Sequence, residues 1–376
     1  MLAFSVTRPP LAASARPGSA RTWLSALVLW AGVAQPLPAW ADSMDVALER
    51  LVTDSNCHTP GGAAVDDGSG QVTRCFPDDE AFKKLVSQYG MAIAPTAMYP
   101  ARTTGYGGFE IALEGAYSSF NSGADYLRLG TRGSVDPATG NAARENTSVP
   151  SLMQLYSLRI RKGFGFGLET GLSFGYLTQT SIISGGLDVR LALLEGFRKG
   201  PLGALPDVAV AGGVRTITGS SAMQLTTTSA SGVISKPISI AHSGVLTPWA
   251  GYQFLWLFGD SGIIDLTPAT DALAACGFSG PNQPGFSNGP GQDGTPICSS
   301  GDSEDFNNNV VFEPARLERQ RLFFGVNYRY EMLVVGGQVM LELVDPAQSQ
   351  DNAADSAILD GEPKSVAFAL QVGAFF

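Results

Sequence analysis

The sequence predicts an all-β chain, an antiparallel transmembrane β-barrel of about ten strands with twelve as the alternative count, preceded by a small helical N-terminal appendage. Three observations predict it. From Gly105 onward the chain repeatedly alternates apolar and polar or small residues with period two, the signature of two-faced strands. The three longest connections between these segments all fall on one side of the sheet, as the long loops of membrane barrels do, with tight hairpins at 180–181 and 219–221 on the same side. Beyond the first 41 positions no apolar run approaches the roughly 20 residues a membrane helix needs, so helical spans are excluded.

Composition narrows the class. Only 15% of residues are charged and 20 are Phe, which argues against a disordered chain. A net charge of −10 argues against a nucleic-acid partner, whose phosphates demand basic surface. The two histidines, His58 and His242, leave little for His-based catalysis: one lies in the appendage and the other in an expected periplasmic turn, so no enzyme is expected. The Gly-rich stretch at 163–167 reads as a hairpin rather than a phosphate cradle, and no cofactor is implied.

In chain order, Arg8, Arg16 and Arg21 precede an apolar stretch at 23–34, and Ala39-Trp40-Ala41 has the small-x-small form of a signal-peptidase site, so residues 1–41 read as a signal peptide. Its removal takes three Arg and no acid, leaving 21 basic against 34 acidic residues. Residues 42–104 read as a small periplasmic or plug segment carrying two helical patterns, 44–51 and 78–88, the second opened by Asp78-Asp79-Glu80 where a helix start favours acids. Four cysteines form two local pairs, Cys57 with Cys75 and Cys276 with Cys298; in an exported chain this spacing reads as two disulfides, and no zinc-type cluster is present.

Residues 105–376 read as the barrel. Ten strand segments are expected at 105–120, 151–162, 166–179, 182–196, 206–218, 222–238, 244–258, 314–330, 332–344 and 364–376. An even count with the appendage on the periplasmic side places the short connections 163–165, 197–205, 239–243 and 331 in the periplasm. The three longest, 121–150, 259–313 and 345–363, then lie outside. A soluble sandwich explains neither this parity nor the end of the chain.

That end is a strand finishing in Phe, with Phe368, Leu370, Val372 and Phe376 on one face. It resembles the insertion signal of bacterial outer-membrane β-barrel proteins. The resemblance implies an outer-membrane location, contact with the lipid bilayer, and recognition of the last strand by the barrel-assembly machinery. A looser similarity to fatty-acid-type transport barrels rests on the apolar-rich lead-in at 91–100, without a diagnostic motif.

If the apolar faces meet lipid, the lumen collects Glu110, Glu114, Glu169, Asp188 and Glu342 with Arg159, Arg161, Arg190, Arg215, Lys236, Arg321 and Arg329. Opposite charges in a narrow space imply pairing, because an unpaired buried charge is costly. The network reads as bracing for a small polar interior, or as a charge-lined eyelet that selects solutes. About eight strands leave an interior that side chains fill, so ten excludes a wide general porin. The two long acidic loops hold thirteen carboxylates and no Lys or Arg; Asp302, Glu304 and Asp305 form a weak calcium candidate that lacks the spacing of a known calcium loop, and otherwise no metal is expected. The function expected is a narrow or gated channel for small solutes or lipophilic compounds, or alternatively a non-transporting barrel that works with periplasmic or envelope-complex proteins.

Overall fold

The computed structural model describes residues 42–53, 75–134, 144–196, 205–240, 244–268, 277–278, 296–297 and 308–376. All belong to one compact unit, Ala41–Phe376. The signal region, His58, His242, three of the four cysteines and the Asp302, Glu304, Asp305 calcium candidate lie outside the described residues.

Ten long strands close into a barrel: β1 (Phe109–Ser119), β2 (Leu152–Gly163), β3 (Leu168–Leu177), β4 (Ile183–Leu194), β5 (Asp207–Thr218), β6 (Met223–Ser235), β7 (Gly244–Ser261), β8 (Ala315–Tyr330), β9 (Leu333–Glu342) and β10 (Val366–Phe375). Every neighbour pairs antiparallel, and β10 returns to β1 with Phe375 opposite Glu110 and Ala367 opposite Ser118. Closure leaves no open edge among the ten, which a lipid environment requires because it offers no water to unpaired backbone groups. A three-residue strand, Ile238–Ile240, adds a hairpin to the start of β7.

The period-two pattern becomes two chemically distinct faces. Along β1, Glu110, Ala112, Glu114, Ala116 and Ser118 are buried inward, whereas Ile111 and Leu113 are exposed outward. Leu172, Phe174 and Tyr176 on β3, Leu187, Val189 and Leu191 on β4, and Val335 and Val339 on β9 continue this outward apolar band. A closed antiparallel barrel with an apolar exterior is a transmembrane architecture. Phe368, Leu370, Val372 and Phe376 all lie on this outer face and are exposed. Phe376 and Phe109 exchange backbone hydrogen bonds that seal the seam at its lower end.

β7 and β8 run to 18 and 16 residues, beyond the roughly 9–11 that cross a bilayer. Their long-loop ends reverse the polarity of the pattern: Leu255, Leu257, Ala315 and Leu317 turn inward, while Arg316, Glu318 and Gln320 turn outward. The inward apolar residues meet a helix.

That helix, α1 (Asp79–Ile93), starts where Asp78 Oδ1 accepts the Ala81 amide, with Asp79 and Glu80 in its first turn. It stops before Pro95, which disfavours helix for the preceding residue. Phe82, Leu85, Val86, Tyr89 and Ile93 are fully buried against the wall. Burying five such side chains contributes on the order of 10 kcal/mol at about 2 kcal/mol each. The wall yields room through Gly259, where a Cβ would lie 2.5 Å from the Val86 side chain, and the helix yields room at Gly90, where one would lie 3.0 Å from Leu257.

Two expectations need correction. Residues 44–51 do not form an α-helix; only a 3₁₀ turn, Leu48–Arg50, is present, since this stretch instead bridges to Thr131 through Val46 and hydrogen-bonds along loop backbone. Residues 42–53 also lie at the long-loop rim, not on the turn side where the even strand count places them. Met44 N–H donates to the Gln179 carbonyl and Ala47 N–H to that of Gly130, and Asp45 accepts from Ser181. The chain therefore descends through the lumen, from this rim to the turn side, before β1 begins.

Candidate functional site

Among the described residues, buried charge, a threaded segment and cavities converge in the lumen. Its lower half is built on β1–β5, whose inward positions bring acids and arginines side by side. Glu110 and Arg161 are register partners, as are Glu169 and Arg190. Gly171 and Ser173 on β3 are small, so Arg159 on β2 reaches past them to Asp188 on β4.

Two alternating chains of charge result. In the first, Glu110 bonds Arg161 at 2.5 Å, Arg161 bonds Glu169 at 3.2 Å and Glu169 meets Arg190 at 3.3 Å. In the second, Glu114 bonds Arg159 at 2.6 Å, Arg159 bonds Asp188 at 2.9 Å and Asp188 bonds Arg215 at 2.7 Å. All eight residues are buried, four of each sign. Pairing of this kind repays desolvation only when the remaining donors are also satisfied.

The threaded residues satisfy most of them, leaving Arg190 Nε buried without a partner among the described residues. Residues 95–104 have no regular structure and include Pro95 and Pro100, which carry no N–H, so the segment offers more carbonyls than donors. The Pro95 carbonyl accepts from Arg321 at 2.6 Å and Gln253 at 3.0 Å, and the Pro100 carbonyl accepts from Arg190 at 2.9 Å. Thr104 N–H donates to Glu169 at 2.7 Å and Ala101 N–H to Ser235 Oγ at 3.0 Å. The Thr96 hydroxyl donates to Glu114 at 2.5 Å. Tyr99 occupies the centre: its hydroxyl accepts from Arg159 at 2.9 Å, and its ring lies 4.7, 5.0 and 3.7 Å from the guanidinium carbons of Arg159, Arg161 and Arg190. Such contacts strengthen when desolvated.

Higher in the lumen, Arg319 pairs bidentately with Glu342 and donates to the Ser87 hydroxyl on α1. At the rim, Lys83 is clasped between Glu313 and Asp355 at 3.0 Å each. Burial alone would lower its pKa, and the bonds to these two carboxylates outweigh that and raise it. Gln88 and the Tyr126 hydroxyl both donate to Glu362. Burial pushes the Tyr126 hydroxyl pKa up, reinforced by the Glu362 charge. Two acids of the long loops, Asp355 and Glu362, are thus buried over the threaded helix, and Glu313 reaches it from an exposed position.

Of the charged residues that the sequence assigns to the lumen, Glu110, Glu114, Arg159, Arg161, Glu169, Asp188, Arg190 and Arg215 are brought together. Glu342 is buried with Arg319, a residue that sequence reasoning passes over although it shares the inward face with Arg321 two positions on. Arg321 is buried but serves Gln253 and Pro95 and meets no carboxylate within 4 Å among the described residues. Arg329 is exposed at the turn-side mouth, and Lys236 donates to the Leu205 carbonyl outside the network. Cys75 is buried at the rim, and its N–H donates to Asn308. Among the described residues no cluster of three or more His, Cys, Asp or Glu could hold a metal ion.

Two cavities flank the threaded segment. One of about 140 Å³ lies at the turn side beneath Pro100 and Thr103, and one of about 260 Å³ lies between α1 and the upper ends of β1 and β10. Between them, a pocket of about 10 Å³ lies beside Ala94, Thr96 and Arg159.

No protein-family model matches the chain, and no curated protein matches it. Among solved structures, it is similar to Ail, the attachment invasion locus protein of Yersinia pestis, at 10% identity over 72% of this chain and 99% of that one, with a TM-score of 0.23. It is similar to the NanC porin at 9% identity, 70% and 98% coverage and a TM-score of 0.23. The transport unit of the autotransporter AIDA-I from Escherichia coli gives 10% identity, 80% and 98% coverage and a TM-score of 0.31. Likenesses of this size carry no argument about the chain, whose fold stands on its own strand pairing.

Proposed function

We propose that this chain is an integral barrel of the bacterial outer membrane, closed by its own N-terminal segment, that acts as a surface-interaction scaffold and not as an open channel. It holds residues 42–53 and 75–78 and the described parts of the long loops together at the outer face, where they offer a binding surface to envelope partners. The observation that carries this reading is the path of the chain: it enters at the long-loop rim, fills the lumen with α1 and residues 95–104, and is tied to the wall by arginines on β2, β4 and β8. The outward Phe368, Leu370, Val372 and Phe376 support recognition by the barrel-assembly machinery. The expected disulfide between Cys57 and Cys75 would lock the displayed segment, and peptide mapping without reduction tests it. The reading calls for no catalysis.

Planar-bilayer recording on the full-length protein tests the scaffold reading. A silent barrel is expected. Steady conductance steps from the unmodified chain would overturn it. The gated-channel alternative is favoured by the cavities at both ends of the threaded segment. It requires conductance that disappears when cysteines introduced at Gly90 and Leu257 are oxidised to each other.

A further inference from the structure

Besides Glu110, Arg161, Pro100 and Thr104 of the lumen network, the turn-side cavity is lined by groups that network does not use. Asn327 on β8 and Thr247 on β7 are register partners, each buried to more than nine-tenths, and neither side chain has a hydrogen-bond partner among the described residues. Arg329, two residues along the same inward face, has no carboxylate within 4 Å among the described residues; its guanidinium carbon lies 5.0 Å from the Phe375 ring centre. The acids at this cavity are engaged elsewhere. Glu110 is bonded to Arg161, and Glu195 accepts from the Thr103 hydroxyl at 2.9 Å and faces Arg102 at 3.9 Å. One exposed guanidinium without a carboxylate partner among the described residues and two unpartnered polar side chains therefore converge, and Val245, Val334 and Phe375 supply an apolar wall beside them.

We propose that this cavity binds a short-chain carboxylate. The carboxylate meets the fork of Arg329 with the amide of Asn327 and the hydroxyl of Thr247, and the hydrocarbon part lies on Val245, Val334 and Phe375. Guanidinium matches carboxylate geometry with two parallel hydrogen bonds, and polar side chains that no protein group engages are free to bond a ligand in the cavity. The volume of about 140 Å³ is roughly ten times what one water needs, which suits a few-carbon acid and excludes a long acyl chain. The apolar wall distinguishes this ligand class from inorganic phosphate.

Calorimetric titration of the detergent-solubilised full chain with butyrate tests the site, with butan-1-ol and inorganic phosphate as probes of the wall alone and of charge alone. Saturable butyrate binding is expected, about tenfold or more tighter than either probe, and weakened about tenfold or more by Arg329→Gln. Thr247→Val carries the same expectation in a more conservative change and serves if Arg329→Gln does not fold. Arg316→Gln, at the opposite rim and paired with Asp260, should bind as the parent does. Equal butyrate binding by parent and Arg329→Gln, equal binding of phosphate and butyrate, or an effect matched by sodium chloride at the same ionic strength would overturn the proposal.

Discussion

The Tyr99 ring centre lies 3.7 Å from the guanidinium carbon of Arg190 on β4, and Arg159 and Arg161 close on the same ring from β2, across the intervening β3. A residue of the N-terminal segment is thereby held by both charge chains of the wall. Tyr99→Ala should cost about 3–5 kcal/mol as the large buried side chain and its cation–π contacts are lost. Tyr99→Phe keeps the ring and loses only the bond from Arg159, costing about 1 kcal/mol. Equilibrium unfolding in denaturant separates the two, and equal losses would show that the ring contributes nothing beyond its hydroxyl.

Asp188 joins Arg159 to Arg215. Asp188→Asn removes the only carboxylate that Arg215 pairs with among the described residues, leaving a buried cation uncompensated. The expected cost is about 3–5 kcal/mol. Replacing Glu80 should change stability by less than about 1 kcal/mol, because its exposed carboxylate makes a surface i,i+4 pair with Lys84. Denaturant midpoints of the two variants check the contrast.

Gly259 permits the approach of Val86. Gly259→Leu puts a branched side chain where α1 packs, and overpacking of this kind costs about 1–3 kcal/mol. Displacement of the helix should appear as intermittent conductance in bilayers and as faster amide exchange in residues 79–93. An unchanged exchange profile would show that the wall, not the helix, yields.

The Tyr126 hydroxyl ionises less readily in the folded chain than its ordinary value of 10 because burial and Glu362 oppose the phenolate. Its contribution to stability is complete below about pH 10 and is lost as pH rises above that, where the unfolded chain releases the proton and the folded chain does not. The parent should therefore lose stability more steeply than Tyr126→Phe between pH 9 and 11. Parallel slopes in unfolding midpoints measured across that range would refute this.

The threaded path predicts topology. An epitope placed immediately after Ala41 should be accessible to antibody on intact cells, on the same side as the long loops. Labelling only after permeabilisation would place the described N-terminal residues on the other side.

Much of this was legible because lipid and lumen impose opposite chemistry on alternate residues. Leu168 to Leu177, and Val366 to Phe375, carry that contrast along their whole length, and both strands appear within two residues of their expected starts. β8 shows where the signal fails. Phe324, Val326, Tyr328 and Tyr330 face lipid, but Ala315, Leu317 and Phe323 are buried on the inward stripe, so a rule that assigns apolar residues to the outside misses Arg319 on that same stripe. Glu342 was recognisable as a lumen residue; its partner was not.

The sequence by itself determined the ten strands, their parity and the identity of most lumen charges, because all three follow from local period and spacing. Only the tertiary structure decided that residues 42–53 lie at the long-loop rim, that α1 fills the upper lumen, and that prolyl carbonyls at 95 and 100 complete the arginine network. These depend on which surfaces meet across the barrel. A helix with an apolar stripe and an extended proline-bearing segment can pack in many places, and closure of the wall around them leaves one arrangement in which the buried guanidinium groups find their acceptors.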